Sequence, residues 1–121
     1  MTKLIGYEKI INVPNSMSVV SELVPLAVSM SRAKYVGIYN FTNPGVISHN
    51  EVLDLYTTHV DPSFSYTNFS IAEQSRVLVA ARSNNALDTT KLEAAALDLG
   101  LPLSPIRIAV ENAMRCMAAK K

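Results

Sequence analysis

Cysteine occurs once, at Cys116, so the chain can form neither an internal disulfide nor a cysteine-rich zinc site. Its four glycines, Gly6, Gly37, Gly45 and Gly100, are scattered, which excludes a Gly-rich phosphate loop of the dinucleotide or P-loop type. Histidine is nearly as scarce. His49 and His59 lack the spacing of a metal-binding helix pair, and no Gly-x-Ser-x-Gly elbow offers a serine nucleophile. Charge of one sign is also missing: 11 Lys and Arg stand against 10 acids, and a net charge of +1 argues against a general nucleic-acid surface. No run approaches the ~20 consecutive apolar residues of a membrane span. The opening residues, Met1 to Gly6, carry a lysine but no apolar core of a signal peptide. A cytoplasmic protein with no membrane and no nucleic-acid partner is the expectation.

What is present suits a packed core. At 121 residues there is room for one small domain, 1–121, and a chain of that size buries roughly two-thirds of its unfolded surface. Apolar residues make up 49% and charged residues 17%, a balance that neither a disordered segment nor a solvated tail shows.

The pattern predicts alternating strands and helices. Lys9 to Val13 is a β-branched run closed by Pro14-Asn15-Ser16, which reads as a strand entering a turn. Ser18 or Ser21 then caps a helix reaching about Ala33, with Val20, Leu23, Val24, Ala27 and Met30 at helical spacing. Pro25 bends that helix if it starts at Ser18 and falls in its first turn if Ser21 is the cap. Val36 to Phe41 alternates like a strand with one packed face and ends at the turn Thr42-Asn43-Pro44-Gly45. Ser48-His49-Asn50-Glu51 has capping-box spacing, and Val52, Leu53, Tyr56 and Val60 give the following helix its apolar side up to Asp61-Pro62. His49 is expected to be solvated or bonded to backbone there.

Ser70 to Glu73 repeats the box ahead of a short helical turn, which also accounts for the glycosylation-like triplet Asn68-Phe69-Ser70. Arg76 to Ala81 is the third expected strand. Asp88-Thr89-Thr90 starts a helix that ends at Gly100, and Ser104 with Pro105 caps the last one. Ile106, Ala109, Val110, Ala113 and Met117 make that last helix amphipathic, with Cys116 on it as a part-buried thiol. The class is α/β, with a thin sheet of few short strands and flanking helices.

Three polar stretches follow expected strands: Asn12 to Met17, Asn40 to Gly45, and Arg82-Ser83-Asn84-Asn85. Ligands of open α/β sheets gather beyond the carboxyl ends of strands, where asparagine donates and accepts and arginine forks onto phosphate. Asparagine and proline are also ordinary loop formers. The residues alone leave both readings open.

Read together, these stretches resemble the C-terminal part of the plant-type nucleotide-rhamnose synthase, a bifunctional 3,5-epimerase/4-reductase. That family sits among the extended short-chain dehydrogenases beside bacterial dTDP-4-dehydrorhamnose reductase. The resemblance is carried by Asn12 to Met17, by Gly37 to Glu51, and by Arg82 to Asn85 with Leu87-Asp88 and Lys91-Leu92. Asn68-Phe69, Glu73-Gln74 and Val77 also match, whereas from Glu93 onward only the pattern of helix, proline and final helix remains.

The resemblance implies a small, partial C-terminal substrate-binding lobe of such an enzyme, acting on a UDP- or dTDP-linked 4-keto-6-deoxy sugar. It implies that the NADH or NADPH site and the Tyr-x-x-x-Lys pair lie in a Rossmann domain that this chain lacks. Tyr7, Tyr35, Tyr39, Tyr56 and Tyr66 all lack a lysine four residues on. No catalytic, cofactor-binding or metal residue is therefore expected here. Arg82 is the expected contact to the nucleotide diphosphate, with Asn84 and Asn85 as its neighbours and Asn15 and Ser16 lining the cleft. The helix starting near Ser18 is expected to show bare apolar surface where the Rossmann domain would pack. A stand-alone, non-catalytic binding or regulatory module derived from the same family is the alternative.

Overall fold

A computed structural model describes residues 1–77 and 85–120, and helices dominate it. In chain order they are α1 (Thr2–Ile5), α2 (Val20–Arg32), α3 (His49–His59), α4 (Ile71–Val77), α5 (Thr90–Leu99) and α6 (Ile106–Ala119). Two short strands, β1 (Lys9–Ile10) and β2 (Thr67–Asn68), pair in parallel with Lys9 opposite Thr67 and Ile10 opposite Asn68. The arrangement is mixed α/β, with far less sheet than the sequence pattern suggests.

Helix α3 forms as its spacing predicts. Ser48 Oγ accepts from the Glu51 N–H at 3.2 Å, and the Glu51 carboxylate accepts from the Ser48 N–H at 2.9 Å. Reciprocal bonds of this kind satisfy donors that every helix start leaves open. Val52, Leu53, Leu55 and Tyr56 are buried along its inner side. Helix α5 ends where expected, at Gly100, whose φ of +66° is easy for glycine and strained for other residues.

Other expectations are corrected. Strand β1 stops at Ile10, so Ile11 to Val13 continue outside it. Val36 to Phe41 is not a strand: no strand lies beside it among the described residues, and a lone strand cannot satisfy its own backbone. Arg76 and Val77 end α4 rather than opening a third strand, and the rest of that expected strand, with Arg82, Ser83 and Asn84, lies outside the described residues. Neither Ser18 nor Ser21 caps α2. Val19 holds that position, Ser18 Oγ donates instead to the Phe41 carbonyl, and Pro25 lies inside the helix beyond its first turn. The buried stripe of α2 is Leu23, Leu26 and Met30, whereas Val20 and Val24 face outward. Helix α6 begins after Pro105, not after a Ser104 side-chain cap, and Cys116 is exposed on it.

The buried side chains form two clusters. Ile47, Val52, Leu55 and Tyr56 pack with Ile106, Val110 and Met114 where α3 meets α6. Leu23, Leu26 and Met30 pack with Leu92, Ala95 and Ala96 where α2 meets α5. The polar residue Asn43, fully buried, ties the helices of one cluster to those of the other. Its Oδ1 accepts from the Val19 N–H at 2.8 Å, and its Nδ2 donates to Glu22 Oε1 at 3.2 Å and to the Ser104 carbonyl at 3.1 Å. Glu22 Oε1 accepts in turn from the Ser104 N–H, and the Ile106 N–H donates to the Pro44 carbonyl at 2.8 Å. One amide thus serves the start of α2 and the approach to α6 together.

Asn43→Ala should therefore lower unfolding free energy by at least about 2 kcal/mol, since each buried group left without a partner costs about 1–3 kcal/mol. Urea titration measures it. Asn43→Asp keeps the acceptor but sets a carboxyl against Glu22. Its folded-state pKa is then raised, so its stability deficit should grow as pH rises above the ordinary carboxylate range and shrink in acid. A deficit that does not vary with pH would separate Asn43 from Glu22.

Candidate functional site

Asn15, Ser16 and Asn85 come together although about 70 residues separate the two segments. Asn15 Oδ1 accepts from the Asn85 N–H at 2.8 Å. The Ser16 N–H donates to the Asn85 carbonyl at 2.6 Å, and Ser16 Oγ accepts from the Leu87 N–H at 2.8 Å. Behind them the backbone of Asn15 forms an isolated antiparallel bridge with Ile47, at 3.1 and 3.0 Å, and Ile47 is wholly buried. The first turn is thereby anchored to the core, and it clamps the chain immediately after residue 84.

These bonds give Asn15 and Ser16 a positioning role that their residue types alone did not reveal. Asn15 Oδ1 accepts from Asn85, and Asn15 Nδ2 donates to the Val13 carbonyl at 3.4 Å. Ser16 keeps a hydroxyl proton to donate. Arg82 and Asn84, outside the described residues, belong to the segment that runs into this clamp.

Asn40 and Asn43, in the second polar loop, are used internally. Asn40 Nδ2 donates to the Asp88 carbonyl at 2.9 Å, and Asn43 forms the buried junction described above. Sequence reasoning placed Asn43 in a possible ligand loop. Its Asn-Pro-Gly context marks a turn, but nothing in that context shows that residues 19, 22 and 104 converge on it.

The shifted titrating groups lie in structural pairs. Tyr66 is pushed up to about 12 by burial and by its hydrogen bond to Asp54, 2.7 Å away. Tyr35 is raised first by its hydrogen bond to Asp98. Glu73 is lowered first by its hydrogen bond to Lys9, and Asp88 by the Thr90 N–H. Each shift moves its group away from neutrality, the opposite of what a general acid or base at pH 7 requires. Among the described residues no group of histidine, cysteine and acidic side chains has the geometry to hold a metal ion.

A cavity of about 580 Å³ lies elsewhere, between the β1 segment and the start of α3, with Tyr7, Lys9, Ile10, His49 and Phe69 in its wall. None of Arg82, Asn84, Asn85, Asn15 and Ser16, the binding residues expected from the sequence, is in its wall. Lys9 is engaged there, paired with Glu73 and 5.8 Å above the Phe69 ring centre. No sequence signal joins residues 6–11 to His49, because only the folded chain brings them together.

The clamp predicts a local effect. Asn15→Ala with Ser16→Ala should speed hydrogen exchange at the Asn85 and Leu87 amides by about tenfold or more. The cost to global stability should stay near about 1–2 kcal/mol, as for exposed hydrogen bonds. Unchanged exchange at those two amides would show that the clamp does not hold the segment.

Comparison with known proteins follows the same residues. No protein-family model matches the chain. It is 53% identical over 93 residues to a bifunctional dTDP-4-dehydrorhamnose 3,5-epimerase/dTDP-4-dehydrorhamnose reductase of Arabidopsis thaliana, a match covering 77% of this chain and 31% of that protein. It is 49% identical over 92 residues to a trifunctional UDP-glucose 4,6-dehydratase/UDP-4-keto-6-deoxy-D-glucose 3,5-epimerase/UDP-4-keto-L-rhamnose-reductase of the same plant, covering 76% of this chain and 14% of that one. In both, the matched region is C-terminal. A crystal structure of a UDP-rhamnose synthase from Acanthamoeba polyphaga mimivirus superposes with a TM-score of 0.82 at 36% identity, over 94% of this chain and 38% of that chain. The chain thus spans less than a third of the bifunctional plant relative and about a seventh of the trifunctional one.

Proposed function

We propose that this chain, a homologue of the C-terminal parts of rhamnose synthases, is a sugar-nucleotide-binding lobe that depends on another polypeptide segment for its chemistry. The observation that carries this reading is the Asn15–Ser16–Asn85 clamp. It fixes Asn85, the residue that follows Arg82-Ser83-Asn84 in the sequence, against Asn15 and Ser16. Restricting a binding segment before its ligand arrives lowers the entropic cost of binding, and a guanidinium presents paired donors to a diphosphate.

In this reading Arg82 forks onto the diphosphate, Asn84 and Asn85 flank it, and Asn15 and Ser16 hold the loop while lining the cleft. The ligand is a UDP- or dTDP-linked 4-keto-6-deoxy sugar, in keeping with the names of the Arabidopsis relatives.

The nicotinamide cofactor that a reductase implies does not fit the described residues. A dinucleotide pyrophosphate needs glycines at a strand-to-helix turn, where the backbone can approach it closely. Gly100 closes α5, Gly6 follows α1, and a Cβ on Gly45 would lie 3.7 Å from Ile106. Gly37 precedes no helix start and has Lys91 Nζ only 2.9 Å from where its Cβ would be. No hydride-transfer or proton-transfer step is therefore assigned to the described residues.

Two measurements test the reading. The chain alone, given a 4-keto-6-deoxy sugar nucleotide and NADPH, should show no turnover above buffer. For binding, the chain is joined to the N-terminal remainder of the bifunctional Arabidopsis relative and titrated with UDP and dTDP. There Arg82→Ala should weaken binding roughly ten- to a hundredfold, because a charge-assisted hydrogen bond contributes about 1.5–3 kcal/mol. Arg82→Lys should recover part of it, since an ammonium lacks the fork. Undiminished affinity in Arg82→Ala, with only a lower melting temperature, would assign the arginine a structural role instead.

A further inference from the structure

Residues 85–89 form no helix or strand of their own, and their backbone is held by side chains from elsewhere in the chain. Asn15 and Ser16 hold Asn85 and Leu87, as described above. Asp88 is held from a third direction. Its carbonyl accepts from Asn40 Nδ2 at 2.9 Å, across 48 positions of sequence. Beyond it Thr89 is buried and α5 begins, with the Thr90 N–H donating to Asp88 Oδ1 at 2.8 Å. Asp88 is the joint between the clamped residues and the core helix.

A hydrogen bond fixes its target only as firmly as its own end is mounted. Tyr39 packs on the α2–α5 cluster, and the Asn40 carbonyl accepts from the Thr42 N–H at 3.0 Å. Lys91, in the first turn of α5, reaches back to the same segment. Its Nζ donates to the Ile38 carbonyl at 3.1 Å and stands 4.4 Å from the centre of the Tyr39 ring. Gly37 leaves room for that ammonium, since a Cβ there would lie 2.9 Å from Nζ. One bond thus runs from residue 40 to residue 88, and another from residue 91 to residue 38. The two close a ring that resists rotation about Asp88.

We infer that Asn40 is a positioning residue for sugar-nucleotide binding, acting through the Asp88 carbonyl rather than on the ligand, a role that rests on the ligand reading above. The bonds at Asn85 and Leu87 are exposed, so water can replace them and the segment can peel away from its Asp88 end. Asn40 closes that end. A ligand that needs the held form binds in proportion to the population of that form, and residues ordered beforehand cost it less entropy.

The test titrates UDP and dTDP into the chain joined to the N-terminal remainder of the bifunctional Arabidopsis relative, and follows hydrogen exchange in the chain alone. Asn40→Ala should weaken binding roughly three- to tenfold, the population change that one lost hydrogen bond brings. Asn40→Asp keeps the size of the amide, but at pH 7 it has no proton to donate to the Asp88 carbonyl, so it should bind no better than Asn40→Ala. In the free chain both substitutions should speed exchange at the Leu87 amide about threefold or more, although that amide is bonded to Ser16 and not to Asn40. Asn112→Ala, exposed on α6, is the control and should alter neither measurement.

Undiminished affinity in Asn40→Ala and Asn40→Asp overturns the inference, even where Arg82→Ala has lost affinity and the ligand reading stands. So does a Leu87 amide that exchanges at the parent's rate, or a lower melting temperature with affinity unchanged, which would give Asn40 a role in stability alone. A parent fusion that binds neither UDP nor dTDP overturns the ligand reading and this role with it.

Discussion

A single buried amide holds the described structure together. Asn43 sits where the α2–α5 cluster meets the α3–α6 cluster, and its side chain bonds to both. Apolar contact alone would let two small helix pairs slide past each other, because hydrophobic attraction has no direction. Hydrogen bonds have direction. The Val19 N–H, the Ser104 carbonyl and Glu22 can all be satisfied by one side chain only if both helices start at fixed positions. Burial raises the penalty for any misfit, so the same three groups that stabilise the junction also select its geometry.

That junction sets the position of the clamp. The Asn43 N–H donates to the Met17 carbonyl, directly after Ser16, while Ile47 bridges Asn15 two residues after Gly45. The turn from Asn12 to Met17 is therefore stitched to the turn around Asn43, and through Ser16 to Asn85 and Leu87. Core packing, the junction and the polar loop form one continuous chain of contacts.

Local signals were legible in the sequence. The Ser48–Glu51 box, the end of α5 at Gly100 and the polar helix start at Asp88 depend on residues close in the chain, and all three form. Kinship with rhamnose synthases was legible as well, through the long run from Gly37 to Glu51. Tertiary partners were not. Helical spacing fits both stripes of α2 equally, so it could not say which would face α5, and it mixed Val20 and Val24 with Leu23 and Met30. Val19, at the cap position of α2, is held by Asn43, 24 residues away, whereas capping rules look for a neighbouring serine. Residues 36–41 have a strand's pattern without a strand's partner, and local pattern does not report whether a partner exists. Among the site residues, Asn15, Ser16 and Asn85 proved to be neighbours. Their bonds to one another were hidden because they join segments about 70 residues apart.

The claim on which the rest depends is that the Asn43 junction makes two helix pairs into one cooperative unit. Native-state hydrogen exchange of the chain, followed across low urea concentrations, tests it at the Val19, Asn43, Ser104 and Ile106 amides, all bonded at the junction. If the account holds, these amides share one opening free energy and one urea dependence with the cores of α3 and α5, since they exchange only when the whole unit unfolds. If they exchange through a smaller, urea-insensitive opening while both cores stay protected, the pairs are independent and the junction is not what joins them.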